Sequence, residues 1–442
     1  MCLSLAEATL GKRDIGGVQG DLPVTLFYAS LEDRDMATPW KTDNWFVSPW
    51  NYSEEVTKDY HPPKKVKIHD VTLRDGEQQP HIVFTKDDKI RIAEMLSEIG
   101  VHRIEAGMPL MSPNDLAAIQ EIVKRNLKSE IFCFSRCMTH DVKVARDCGV
   151  DGVIMEIPGS RQFVELAYKW PMQRAIDLSI EATAFAKEQG LYVVFFTVDA
   201  TRSDFNWLMD LVQQVATHGH MDALALVDTQ GVLSPQAAAC FAKKVKERVS
   251  KPLEAHFHND FGMGAANTVS AVMAGAEVIH TTVLGIGDRC GNTPMEETVL
   301  ALLTMYGIDV GLDYRRINKL SKLVEKLSGF KIPANKPFIG DDIYDIEAGM
   351  VTNFYKNVFE KNLLTVYPVR PDFVGHREPR IGMSKKSGLA NVTIWAEKLN
   401  IELTDEEAQK VLDRVKLKSH DSKGVLSEDE FRKIADKVKA GK

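Results

Sequence analysis

The chain has 442 residues, 44% of them hydrophobic, and a formal net charge of -7. That is enough for one barrel of about 250 residues with extensions, and it leaves no basic stripe of the kind nucleic acid requires. Residues 1–20 hold no sustained apolar segment, and no window reaches the ~18 uninterrupted apolar residues of a membrane span, so the expectation is a soluble protein without a secretory signal. The six cysteines, at 2, 133, 137, 148, 240 and 290, lack paired zinc-finger spacing, which points to reduced thiols in a cytoplasm.

Residues 1–60 show no clear period. Trp40, Trp45 and Trp50 punctuate a polar, Pro-containing stretch there, and are expected to anchor an arm onto the barrel or a partner subunit. From residue 66, apolar strand-like runs alternate with amphipathic stretches at roughly thirty-residue spacing, the scale of a strand-helix repeat. Eight runs stand out: 66–71, 103–107, 131–135, 152–157, 192–198, 223–227, 253–258 and 278–284. Helical patterns such as 86–99, 174–188, 235–249 and 265–274 lie between them, with Gly100, Gly190 and Gly275 where helices commonly stop.

Eight such units with right-handed crossovers close most simply as a (β/α)8 TIM barrel, an α/β fold; an open doubly wound sheet is the runner-up. Past residue 308 the alternation fails. A helix over 314–327 leads to a Pro-, Asn-, Asp- and Gly-rich segment, followed by helices over 389–399, 404–415 and 427–440. The expected organisation is an N-terminal arm (1–60), a catalytic barrel (61–310), a linker subdomain (311–388) and a helical C-terminal subdomain (389–442). Asp421 to Glu430 fails as a calcium loop, because Ser419 and Lys423 fall where ligand oxygens belong. Ser427 with Glu430 reads instead as a capping box opening the last helix.

Chemistry concentrates at predicted strand ends. Asp70-Val71-Thr72-Leu73-Arg74-Asp75-Gly76-Glu77-Gln78 delivers a cation and a carboxylate to the mouth of the first strand. In Glu254-Ala255-His256-Phe257-His258-Asn259-Asp260 two imidazoles at i and i+2 of an extended run share a face. Asp75, His256 and His258 together read as an O,N,N metal site, whose donors suit Zn²⁺, Mn²⁺, Mg²⁺ or Co²⁺ without choosing among them. Glu105, Arg136 and Asp228-Thr229 are further polar groups aimed at that mouth.

With Gly285-Ile286-Gly287-Asp288-Arg289-Cys290-Gly291-Asn292 added, these motifs resemble the DRE-TIM metallolyase superfamily. That group includes isopropylmalate, homocitrate, citramalate and Re-citrate synthases and hydroxymethylglutaryl-CoA lyase. The resemblance spans about 66–302, and segments 334–340 and 374–388 are similar to the subdomains that follow the barrel in the synthases. It implies that Asp75, His256, His258 and Asn292 hold a divalent metal that chelates and polarises a 2-oxo acid. It also implies that Arg74 steadies the developing alkoxide and Thr229 binds the substrate carboxylate. Arg74 and Glu105 are then the catalytic pair, and Arg74, Thr229, Glu254 and Arg136 the substrate-facing groups. The implied reaction adds an enolised acyl-CoA, acetyl-CoA in the first place, to the keto carbon and releases CoA.

Two departures matter. Val198 stands where the synthases show a Glu, and Ile346 and Val351 stand where their subdomain shows histidines. Valine and isoleucine move no protons, which leaves Asp345, Glu347 or Tyr367 as acid-base groups to consider. A lyase-like cleavage enzyme is one alternative, although Cys290 lies only two residues before Asn292, in the synthase spelling. A non-catalytic metal- or ligand-binding barrel is the other. A further regulatory domain of ordinary size, and feedback inhibition through one, are not expected. The arm and the helical tail point to a homodimer.

Overall fold

The structure, a computed structural model, describes residues 38–441; the first 37 residues of the expected arm lie outside the described residues. Eight parallel strands close a barrel in the order β1 to β8. They are β1 (Lys67–Asp70), β2 (Arg103–Glu105), β3 (Glu130–Arg136), β4 (Gly152–Pro158), β5 (Tyr192–Val198), β6 (Ala223–Asp228), β7 (Leu253–Phe257) and β8 (Val278–Thr281). β8 pairs back onto β1 from Lys67 opposite Val278 to Asp70 opposite Thr281, which removes both sheet edges. The open sheet is thereby excluded.

Every predicted run coincides with a strand, although β3, β4 and β6 each extend one residue past the run at one or both ends. The last is shorter than the apolar run: after Thr281 the chain turns through Val283–Gly285, with Leu284 left-handed at φ 65. The Leu284 N–H donates to the buried Glu296 carboxylate, so a tertiary bond overrides the β propensity of the segment. Helices cover the outside of the barrel. Lys86–Glu98 opens on a capping box, with Thr85 and Asp88 satisfying each other's backbone N–H, and Pro113–Lys124 and Pro235–Lys246 open on Ser with Pro at the first turn. Their apolar faces and the outward strand residues make the main core.

The barrel interior is split by chemistry. On the β3 to β6 side it is apolar, with Phe132, Ile154, Val194, Phe196, Ala225 and Val227 packed together. On the β1, β2, β7 and β8 side the inward positions carry His69, Arg103, Glu105, Glu254, His256 and His280. Side chains alternate between the two faces of a strand, so one inward row can be ionic while the outward row stays greasy.

Beyond the barrel, Ile317–Ser328 packs on Lys86–Glu98. A short parallel pair, Asp345–Ile346 with Arg380–Ile381, frames the linker segment. Leu389–Lys398, Asp405–Ser422 and Glu428–Lys439 enclose a second core around Trp395, Leu412 and Phe431. The middle helix runs past the predicted end at 415, because nothing from Lys416 to Ser422 breaks a helix before Lys423 turns left-handed at φ 52. The Ser427 and Glu430 capping box is present as expected. Trp45 packs on Phe373 with ring centroids 5.7 Å apart, and Trp40 on Tyr52 at 6.1 Å, whereas Trp50 is exposed. Among the described residues no helix is long and apolar enough to cross a membrane.

Candidate active site

The loop after β1 is held from two sides. Buried Asp70 accepts from the Thr72 N–H and hydroxyl, and the Thr72 hydroxyl accepts from the Val283 N–H, which ties the loop to the end of β8. Fully buried Lys89 donates to the Leu73 carbonyl at 3.1 Å and pairs with Glu77 and Asp115, each at 2.6 Å. These bonds leave Arg74 and Asp75 pointing into the mouth with little freedom.

Four side chains, from the ends of β1, β7 and β8, converge on Asp75 Oδ2. His256 Nε2 lies 3.0 Å away, His258 Nε2 3.8 Å, Arg74 3.4 Å, and Asn292 Nδ2 donates at 2.8 Å. Asp75, His256 and His258 each offer one ligand atom, all within 4.8 Å of one another. Asn292 reaches them because its loop is built on glycine. At Gly287, φ 154, a Cβ would stand 2.7 Å from Asn292 Oδ1, and at Gly291, φ 85, it would strike the Gly285 carbonyl. A bridge between His258 and Asn292 closes the arrangement.

The proton inventory fits a cation at this point. Burial raises the Asp75 carboxyl, but the Arg74 guanidinium beside it outweighs this and holds it well below the carboxylate range. Burial pushes His256 down to about 3, so its ring carries one proton. His256 Nδ1 lies 3.1 Å from His280 Nδ1, and His280 Nε2 lies 2.8 Å from Glu254 Oε2. Glu254 is an acceptor, held at about 2 by His280 and Arg103 against its burial. His256 Nε2 faces the Asp75 carboxylate oxygen at 3.0 Å, and when the single proton of that ring sits on Nδ1, toward His280, Nε2 offers its lone pair to the same point. A divalent ion at that point would take the imidazole lone pair and the carboxylate charge together. His258 Nδ1 and Asn292 Oδ1 are buried without a partner among the described residues. The residues present therefore fit a metal with O,N,N donors.

The other expected residues divide. Arg74 is ion-paired to Glu105 and lies over the Phe134 ring at 4.3 Å, its charge reinforced by Asp75 and Glu105 despite burial. The Thr229 hydroxyl accepts from the Asp199 N–H at 2.8 Å, and its own hydrogen is free to donate. Glu254 does not face the mouth as expected: it stands one inward position below His256, bound to Arg103 and His280. Arg136, expected to face substrate, makes a bidentate pair with Asp141 at 2.7 and 3.0 Å. Asp345, Glu347 and Tyr367 line a separate groove of about 1210 Å³ formed by residues 342–428. Asp345 is paired with Arg377 and Arg380, Glu347 with Lys386, and burial raises the Tyr367 phenol.

Residues not anticipated from the sequence are His280 and Arg103, which orient His256 from below, and Glu156 on β4. Their signal was a lone charged or imidazole side chain in an apolar parallel-strand run.

The fold and the mouth thus define a (β/α)8 barrel with a polar, cation-ready site at the C-terminal ends of its strands. The HMGL-like family model matches residues 65–324, and the chain belongs to that family. It is 32% identical over 395 residues to homocitrate synthase AksA of Methanothermobacter thermautotrophicus, covering 89% of this chain and 98% of that one. It is 38% identical over 351 residues to (R)-citramalate synthase CimA of Methanocaldococcus jannaschii, 79% of this chain and 70% of that one. Among solved structures, HMG-CoA lyase of Bacillus subtilis aligns with a TM-score of 0.55 at 20% identity, over 62% of this chain and 96% of that one, a likeness of fold.

Proposed function

We propose that this protein joins the α-carbon of an acyl-CoA thioester, acetyl-CoA in the first place, to the keto carbon of a 2-oxo acid. The products are a 2-hydroxy di- or tricarboxylic acid and free CoA. The reading is supported by relatives named as homocitrate, citramalate and isopropylmalate synthases that align over 79–89% of the chain. The observation that carries it is the convergence of Asp75, His256, His258 and Asn292 beside Arg74.

In this reading Asp75, His256 and His258 hold a divalent ion, with Asn292 completing the set. When bound, that ion supplies Lewis-acid polarisation of the keto group. Arg74, permanently charged and fixed by Glu105, donates to the oxygen that becomes an alkoxide. Thr229 donates its hydroxyl hydrogen to the substrate carboxylate. Phe134 and Phe196 wall the site and keep water from the enolate. Water then cleaves the thioester, the C–S bond breaks and the thiolate leaves. A homodimer in the cytoplasm belongs to the same proposal, and a monomeric mass by light scattering would reject the dimer.

The deciding experiment is a free-thiol release assay with acetyl-CoA against pyruvate, 2-oxoisovalerate, 2-oxoglutarate and oxaloacetate. Cleavage assays on the corresponding hydroxy acids run beside it. Thiol release with a single oxo acid selects the synthase and names its substrate. Cleavage without release selects the lyase reading, and silence in every assay after metal loading rejects both.

A further inference from the structure

β4 reads Gly-Val-Ile-Met-Glu-Ile-Pro, with one charged side chain in an otherwise apolar strand. Ile154 belongs to the barrel interior, so Glu156, two residues on, faces inward as well. In register it stands between Arg136 of β3 and Phe196 of β5. Val198, which occupies the position where the synthases show a Glu, is opposite Pro158. A carboxylate is therefore still present on this side of the mouth, moved to the neighbouring strand and one inward position lower.

The other carboxylates around the mouth are engaged. Asp75 accepts from Asn292 and faces His256 and His258, and Glu105 is paired with Arg74. Asp228 accepts from Thr201 and the Leu233 N–H, Asp199 from Ser160 and Arg202, and Asp260 from Arg289. Glu156 has one hydrogen bond among the described residues, from the Tyr168 phenol to Oε1 at 3.3 Å, and Oε2 has no partner there. Tyr168 follows the π-helical turn Gln162–Ala167 and is partly exposed, so the Glu156 carboxyl lies under a surface side chain and beside Arg74.

We propose that Glu156 is the base that removes the α-proton of the acyl thioester, a role that rests on the synthase reading above. Its carboxylate takes the proton, and the C–H electron pair becomes the enolate. The enolate carbon forms the new C–C bond while the carbonyl π pair moves to the oxygen held by Arg74. Glu156 then returns the proton to that alkoxide. Tyr168 is a positioning residue, holding Oε1 so that Oε2 meets the substrate.

The electrostatics agree with this geometry. The groups facing Glu156 are Tyr168, Arg74, Arg136 and Asp141; burial raises its carboxyl, and the phenol and two guanidiniums offset this only in part. A base with affinity above the ordinary carboxylate range is better suited to a carbon acid near neutrality.

The test is exchange of the acetyl-CoA methyl hydrogens with D₂O, followed by mass spectrometry, alongside CoA release. Glu156→Gln is expected to lower both by about 10²-fold or more, with Mn²⁺ affinity and oxo-acid affinity within about threefold of the wild type. Glu156→Asp is expected to restore part of the exchange. The acid limb of wild-type kcat/KM lies above the ordinary carboxylate range and disappears in Glu156→Gln. Tyr168→Phe shifts that limb and lowers exchange by about three- to tenfold. Exchange retained in a folded, metal-binding Glu156→Gln overturns the proposal while wild-type CoA release leaves the synthase reading standing; a wild type that releases no CoA removes both.

Discussion

The barrel interior contains two groups of three metal-capable side chains, one above the other, and they are built to opposite ends. Asp75, His256 and His258 form the upper group and His69, Glu254 and His280 the lower; in each the ligand atoms lie within 4.8 Å of one another. In the lower group the cation is already present. Arg103 pairs with Glu254 at 2.7 Å, lies over Phe132 and Tyr192 at 4.8 and 4.6 Å, and keeps its charge despite burial because Glu254 stands beside it. His280 takes the other Glu254 oxygen. In the upper group the cation, Arg74, is shared between Asp75 and Glu105, and the Asp75 oxygen faces His256 Nε2 at 3.0 Å and His258 Nε2 at 3.8 Å. Donor type and spacing alone do not make a metal site; what decides is whether the protons and charges of the group already balance.

The comparison is broken most directly at Asp75. Asp75→Asn keeps the volume and the contact with Asn292 but removes the anion, and is expected to lower divalent-metal affinity by about 10³-fold and abolish CoA release. Titration calorimetry with Mn²⁺ checks this, and the same titration on the wild type is expected to give one ion per chain. Two ions per chain, with one surviving in Asp75→Asn, would mean that the lower group binds metal as well.

Glu254→Gln tests the balance from below. It leaves the buried Arg103 charge with only the half-exposed Glu130 as counter-charge, and the expected cost is up to about 3–5 kcal/mol of stability in urea denaturation. His280→Phe separates orientation from charge. It keeps the stack on His69 but removes the partner of His256 Nδ1 and of Glu254 Oε2, and metal affinity is expected to fall about 10–100-fold together with about 1–3 kcal/mol of stability. An unaltered affinity in His280→Phe would show that the ring fills space and nothing more.

How much of this could be read in the sequence follows from the same layering. The eight strands were legible because a parallel strand covered on both faces leaves an apolar run. Asp75, His256 and His258 were legible because a strand end and an i, i+2 spacing locate side chains without knowledge of the rest of the fold. The lower layer was not legible, since Arg103 and Glu254 are 151 positions apart in the chain and meet only once β1 and β8 close the barrel. Glu254 was assigned to the substrate for that reason, although its partner lies beneath it. Arg136 was read as substrate-facing, but Asp141 waits one helical turn further along. Glu156 was passed over because its facing depends on which neighbours of β4 point inward, a matter of register.

The smallest expected effect is also the one that sharpens the comparison most. His69 is fully buried, and neither ring nitrogen has a hydrogen bond among the described residues. Nε2 comes within 3.4 Å of Glu105 Oε2, but burial holds the ring pKa well below its ordinary value, so this is contact with a neutral imidazole and not an ion pair. The ring stacks on His280 with centroids 4.5 Å apart and meets the Phe132 edge at 5.2 Å, contacts that a phenyl ring can make equally well. His69→Phe is therefore expected to leave metal stoichiometry and CoA release unchanged and to hold or raise stability, by up to about 1–3 kcal/mol, through removal of unsatisfied polar atoms. Urea denaturation and metal titration of the same sample decide it. A loss of stability coupled to a lost ion would make His69 a ligand and the lower group a second metal centre; a loss of turnover alone would mean that His69 steadies Glu105, and through it Arg74.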